Sequence, residues 1–315
     1  MKPARLIVLT VALLAPVFAG AQTSSVARPD TRESVRARLL SYLEARKLPQ
    51  ATALGEEAVA RWPQDAGFRH YLGLAYFQSG RNREAIDQLA QAAKLAPGSF
   101  DVQHDLALVY LAENRHADAA QSLERARRLK PRAALVRVLL GRAYQNSNRT
   151  LRAVEEFRAA LRLDPKIPLG HYHLGFAYGS LGRNTEAIAE YEKELAQRDH
   201  AEVRYQMGHT LLESGQWNRA LEHLQRAVEL DPRRSTAYYD LGKVQLLLGD
   251  AAAAIASLGR ALELDPHDPS AHFQLARALE KAGDRDSAQQ HRERFAELKK
   301  LQQQTGGMAT GRVRE

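Results

Sequence analysis

Proline returns in this chain at a fixed interval. Pro63, Pro97, Pro131 and Pro165 each stand 34 residues after the last, and Pro232 and Pro266 resume the spacing. A strict period of this size narrows the possible folds sharply, because each period must be one supersecondary unit stacked on the next. Further columns keep the same phase. A small residue stands at Gly73, Ala107, Gly141, Gly175, Gly208, Gly242 and Ala276, each preceded by a large apolar one (Leu72, Leu106, Leu140, Leu174, Met207, Leu241 and Leu275). Seven residues later come Gly80, Asn114, Asn148, Gly182, Gly215, Gly249 and Gly283, and five further on an invariable alanine: Ala85, Ala119, Ala153, Ala187, Ala220, Ala254 and Ala288.

Each column has a physical cause. Gly or Asn tolerates the left-handed conformation that ends one helix and turns into the next. The small residue and the alanine allow two helices to approach closely. Leucines and tyrosines at i, i+3 and i+4 make each helix amphipathic. Proline stops the second helix and opens the next unit. Two helices cannot bury their apolar faces alone; stacked units bury a continuous core.

These residues resemble the tetratricopeptide repeat family. Leu174, Gly175, Tyr178, Gly182, Ala187 and Tyr191 follow its motif, as do Leu72, Gly73, Tyr76, Gly80, Ala85, Leu89, Ala92 and Pro97. The resemblance covers seven units: 66–99, 100–133, 134–167, 168–200, 201–234, 235–268 and 269–302. A degenerate unit at 32–65 precedes them, with Tyr42, Ala51, Ala58 and Pro63 in phase and Asp30 with Glu33 as an expected capping box. The resemblance implies an all-α fold, a right-handed superhelical solenoid of antiparallel helix pairs. Unit 168–200 is one residue short and carries Asp199 where proline is expected, which a changed tilt between units or, more simply, an adjustment of the loop alone can absorb. The last unit has Arg292 and Phe295 where a large apolar and a small residue belong, and its polar second helix suits an end cap. Residues 303–315 read as a disordered tail.

The start of the chain has its own logic. A basic head with Lys2 and Arg5, an apolar run from Leu6 to Ala19 and the small residues Ala19-Gly20-Ala21 have the layout of a secretory signal peptide. Cleavage after Ala21 leaves residues 22–31 as a linker. The expectation is a periplasmic or secreted bacterial protein. The chain has no cysteine, which excludes a disulfide scaffold and thiolate chemistry.

Signals for catalysis are thin. There is no H-E-x-x-H, G-x-S-x-G or G-x-x-x-x-G-K-[ST] pattern. His70 and His104 fall at the same place in consecutive units beside Asp105, but a metal needs a third convergent ligand. His171 and His173 are two apart on a helix and point in different directions. Asn148-Arg149-Thr150 spells a glycosylation acceptor, yet Asn148 already serves the turn. Glu155 and Glu156 read as solvated charges. The chain is therefore expected to be no enzyme and to hold no cofactor.

In the family the first helix of each unit lines the concave side, where ligands lie. Carried over, the fifth places are His70, His104, Val138, Tyr172, Tyr205, Tyr239 and Phe273. The ninth are Leu74, Leu108, Arg142, Phe176, His209, Lys243 and Arg277. The candidate contacts are Tyr172, Phe176, Tyr205, His209, Tyr239, Lys243 and Phe273. Aromatics supply burial while His209 and Lys243 orient carboxylates, which suits an extended segment of another protein. The asparagines with which some family members clamp a C-terminal carboxylate are missing from these places. Residues 115–166 hold 13 Lys and Arg against 5 Asp and Glu, which reads as helix-end charge and a solvated face, or as contact with an anionic surface. Without base-stacking motifs nucleic acid is not expected as a partner. The expectation is a protein-binding scaffold of the cell envelope. The alternatives are a carbohydrate or cell-wall accessory, and association with a second copy of the chain stays open.

Overall fold

The computed structural model describes residues 31–310, with side chains described through residue 304. The leader at 1–21, most of the linker and residues 311–315 lie outside the described residues. Eight helix pairs follow one another. They are α1 (Arg32–Glu44) with α2 (Leu48–Arg61), α3 (Ala66–Gln78) with α4 (Asn82–Leu95), α5 (Phe100–Ala112) with α6 (His116–Leu129), and α7 (Ala134–Asn146) with α8 (Thr150–Leu163). Then come α9 (Gly170–Ser180) with α10 (Asn184–Gln197), α11 (Ala201–Glu213) with α12 (Trp217–Leu230), α13 (Ser235–Leu247) with α14 (Ala251–Leu264), and α15 (Pro269–Ala282) with α16 (Arg285–Thr310). No strand occurs among the described residues.

The columns do what their chemistry requires. Gly80, Asn114, Asn148, Gly182, Gly215, Gly249 and Gly283 all have positive φ. The chain then doubles back so that the amides of Arg81, Arg115, Arg149 and Arg183 donate to the carbonyls of Tyr76, Tyr110, Tyr144 and Tyr178 at 2.8–2.9 Å. This is the closing bond of a Schellman turn. The glycines of the small-residue column, Gly73, Gly141, Gly175, Gly208 and Gly242, each receive a knob from the second helix of their own unit. At Gly141 an added Cβ would stand 2.5 Å from Phe157 Cε1. The alanine column is sealed, with Ala85, Ala119, Ala153, Ala187, Ala220 and Ala254 at 0% exposure. A continuous apolar core runs from Ala107 to Val244.

Helices two apart in sequence reveal the curvature. First helices touch across units (α1–α3, α3–α5, α7–α9, α9–α11, α11–α13, α13–α15), whereas among the described residues successive second helices do not pack comparably. The first helices therefore form the inner wall of the superhelix and the second helices splay outward.

Several details depart from the sequence expectation. The N-cap of α1 is Thr31, whose hydroxyl accepts from the Ser34 amide at 3.2 Å; Asp30 lies outside the described residues. The missing residue of unit 168–200 is absorbed in the α10–α11 loop, cut to residues 198–200. There Asp199 replaces proline as a tether, accepting from Arg204 Nε at 2.7 Å and Arg226 Nε at 2.9 Å. The same unit's first helix starts late, after Leu169 at φ 58°. Buried Glu194 caps it by accepting from the Leu169 and Tyr172 amides at 3.1 and 3.2 Å. The disordered tail expected from residue 303 is helical as far as Thr310. The good helix formers Gln302, Gln303 and Gln304 carry α16 past the repeat boundary.

Candidate functional site

The inner wall is built from one face of each first helix, so places recurring every 34 residues line up along it. Tyr172 on α9, Tyr205 on α11, Tyr239 on α13 and Phe273 on α15 form one row. The structure divides these rings by depth. Tyr172, Tyr205 and Tyr239 are half-buried, and burial pushes each phenol up from its usual value. Tyr172 reaches across a unit boundary to Glu202 Oε1 at 3.4 Å, and Arg234 lies over the Tyr205 ring at 5.0 Å. Each of these tyrosines therefore also joins its unit to the next. Phe273 and Phe176 are different: 42% and 37% exposed, although they sit inside the array. Phe176 lies 6.3 Å from Tyr172, centroid to centroid, and Phe273 lies 5.3 Å from Phe295.

Cations flank the row. His209 Nδ1 is 2.8 Å from Oδ2 of buried Asp240 on the next first helix. That hydrogen bond holds the imidazole pKa above its usual value against the opposing effect of burial. Lys243 Nζ stands 3.4 Å from Glu213. At the C-terminal end, Lys243, Arg277 and Lys281 rim a hollow of about 130 Å³ with Leu246, Leu247 and Gln274. Sequence reasoning placed Lys243 and Arg277 on this wall but missed Leu247 and Lys281, which lie a turn beyond the ninth places, and Gln274, which follows the fifth-place Phe273.

At the N-terminal end, His70 Nε2 and His104 Nδ1 meet the same carboxylate, Asp105, at 2.7 and 3.0 Å. Burial pushes the Asp105 carboxyl up, but the two imidazole hydrogen bonds outweigh it and hold it below its usual value. Among the described residues no group of three or more His, Cys, Asp or Glu is placed to hold a metal ion. His171 and His173 do part company. His171 Nδ1 lies 2.5 Å from Glu190. His173 stacks on Phe157 at 5.5 Å, and burial drives its pKa down to about 3.

One expectation is corrected here. Glu156 is not a solvated charge: it is 6% exposed and takes hydrogen bonds from Arg127 and Arg137. It belongs to a polar ladder that sequence reasoning missed. In five of the eight units the fourth position of the unit pairs with the residue 19 later on the second helix: Arg69 with Gln88, Arg137 with Glu156, His171 with Glu190, Arg204 with His223, and His272 with His291. Several of the same side chains also hold the preceding loop, as Arg69 and Arg137 do through the carbonyls of Pro63 and Pro131 at 2.9 and 3.2 Å.

With this geometry in place, comparison with known proteins identifies the family. Models described as "Tetratricopeptide repeat" match residues 36–100, 104–165, 138–202, 205–269 and 245–294. The chain belongs to the tetratricopeptide repeat family. The matches begin inside the degenerate first unit and end inside the last. Among solved structures, the chain resembles MamA from Desulfovibrio magneticus RS-1 (residues 41 to the end) at 25% identity and TM-score 0.51, over 54% of this chain and 96% of that one. It resembles YrrB, described as a tetratricopeptide repeat protein with an unusual peptide-binding site, at 23% identity and TM-score 0.52, over 57% and 93%. It also resembles a chain of the APC/C hetero-tetramer Cut9–Hcn1 at 20% identity and TM-score 0.57, over 80% and 50%. No curated protein matches the chain.

Proposed function

We propose that this tetratricopeptide repeat protein is a non-catalytic scaffold that holds an extended segment of another protein along its inner wall. The observation that carries this reading is the exposure of Phe273, in line with the half-buried tyrosines, and of Phe176 beside Tyr172. Large apolar rings kept in water beside a curved, rigid row are the residue type that dominates binding energy once a partner covers them. The cationic hollow at Lys243, Arg277 and Lys281 and the His209 imidazole suit carboxylates on that segment. Family membership and the likeness to a peptide-binding array support the class of partner. The leader-like residues 1–21 favour action in the cell envelope; N-terminal sequencing of the mature protein should begin at Gln22.

Crosslinking in the native envelope followed by mass spectrometry names the partner. Phe176→Ser with Phe273→Ser should then reduce its capture at least tenfold without changing helical content. Undiminished capture by that folded double variant would remove the inner wall from consideration.

A further inference from the structure

The outer side of the array carries a second, unrelated opening. Between α4 and α6, with α5 as its floor, lies a cavity of about 500 Å³. Its floor lies where unit 100–133 lacks the polar-ladder pair. Arg69 and Arg137, one unit to either side, span from a loop carbonyl to a partner 19 residues on. Here the pair is Gln103 and Ser122, and Gln103 is too short to reach the Pro97 carbonyl. A second truncation adds to the space. Tyr76 and Tyr144 donate their hydroxyls to Glu56 and Glu124 at 2.7 and 2.5 Å. The residue 20 before Tyr110 is Ala90, which lines the cavity.

Two of the lining groups, Lys94 and Arg125, only donate, and Gln103, Tyr110, Gln121 and Ser122 can donate as well as accept. Gln103 is 0% exposed, and among the described residues neither its Nε2 nor its Oε1 has a hydrogen-bond partner. A buried amide left in this state is costly and rare. Gln103 is one of the residues that line the opening. The Tyr110 hydroxyl has lost the glutamate that its neighbours use. Lys94 and Arg125 stand exposed at the rim, and among the described residues neither is in an ion pair. Asp118, the one carboxylate in the lining, is already engaged by Arg115 at 2.7 Å. Ala93, Pro97 and Leu106 supply apolar walls.

We infer that this cavity is a binding site for a small organic carboxylate, which takes the place of the acidic side chain that unit 100–133 lacks. The carboxylate lies between Lys94 and Arg125 and accepts from Tyr110 and the Gln103 amide, while its short carbon chain lies on the apolar walls. The volume lies in the range of small-molecule sites and leaves room for water beside a short acid. The site faces away from the inner wall and does not depend on what binds there.

The test is calorimetric titration of the full chain with glutarate, with neutral glutaramide, and with glutamate blocked at both backbone ends. Glutarate should saturate a single site and glutaramide should bind at least tenfold more weakly. Gln103→Leu with Tyr110→Phe, and separately Lys94→Ala with Arg125→Ala, should each weaken glutarate at least tenfold while circular dichroism reports unchanged helix. Gln103→Arg, which restores the guanidinium of the neighbouring units, should raise the thermal midpoint and abolish binding. Tighter binding of glutarate than of blocked glutamate assigns the site to a free acid. Equal binding assigns it to an acidic side chain of a peptide, and both support carboxylate recognition. The inference is overturned if neither acid binds saturably, if glutaramide binds as well as glutarate, or if the folded Gln103 variants retain full affinity.

Discussion

Two glycines in equivalent surroundings of sequence but not of space give opposite responses to the same methyl group. Gly141 is buried in α7, and an added Cβ would lie 2.5, 2.8 and 2.8 Å from three ring atoms of Phe157. Phe157 has 0% exposure, so its ring has nowhere to retreat and α8 must shift. Inserting a methyl into a packed core costs ~1–3 kcal/mol, and three rigid ring atoms place Gly141→Ala at the upper end. Alanine's helix propensity offsets ~1 kcal/mol, leaving a net destabilisation of about 2 kcal/mol. Gly259, in the interior of α14, has no atom within 4 Å of a built Cβ. Gly259→Ala should therefore stabilise by the propensity term alone, ~0.5–1 kcal/mol. A stacked array can open in parts, so the readout is native-state hydrogen exchange at the amides of α7 and α8, compared with those of α13 and α14. Equal protection in α7–α8 for Gly141→Ala and the parent would refute the claim that this close approach is what holds each helix pair together.

His173 makes stability depend on pH. Its folded pKa, about 3, lies below the unfolded value, so the stability is present above that unfolded value and is lost as pH falls through it. Between about pH 7.5 and pH 5.5 the loss from this group is ~1.4 kcal/mol, and His173→Leu should flatten the denaturant-midpoint profile by that amount. His209 works in the other direction: its folded pKa is raised, so its stabilising charge is present below the unfolded value of ~6.5 and lost as pH rises through the folded one. Capture of a carboxylate-bearing partner should weaken over that rise, and Asp240→Asn should move the fall in a binding curve to lower pH. Tyr205→Ala removes a half-buried ring between α11 and α13 and should cost about 2 kcal/mol in chemical denaturation.

The repeat architecture was legible because its columns keep one residue type. A turn needs Gly or Asn, and a helix crossing needs Gly or Ala, so the letters recur and the period shows. The aromatic row was legible in position but not in depth. Nothing in the letters separates half-buried Tyr205 from exposed Phe273, since that depends on how neighbouring first helices close over each ring. The polar ladder left no constant letter at all. Arg with Gln, Arg with Glu, His with Glu and His with His perform the same bridging at a spacing of 19, and only the pairing reveals that Gln103 and Ser122 fail to meet. Glu156 was misread for the same reason: its burial comes from Arg127 one unit earlier and Arg137 across its own helix pair, contacts that no local pattern announces. The short unit takes up its missing residue in the loop at 198–200, but its first helix is also altered, and the late start of α9 with its Glu194 cap had no visible signal.

Closing each rung on itself, and on its neighbours through recurring surfaces, makes the array modular along its length. Excising residues 100–133 would join Ser99 to Ala134 at equivalent points of the cycle and remove the outer cavity whole, yet leave Tyr172 through Phe273 in register. The same cut around unit 168–200 would not heal so simply, because its entrance and exit loops differ from the others. Growth or shrinkage of such a chain by duplication thus comes in whole steps, with one irregular joint that resists copying.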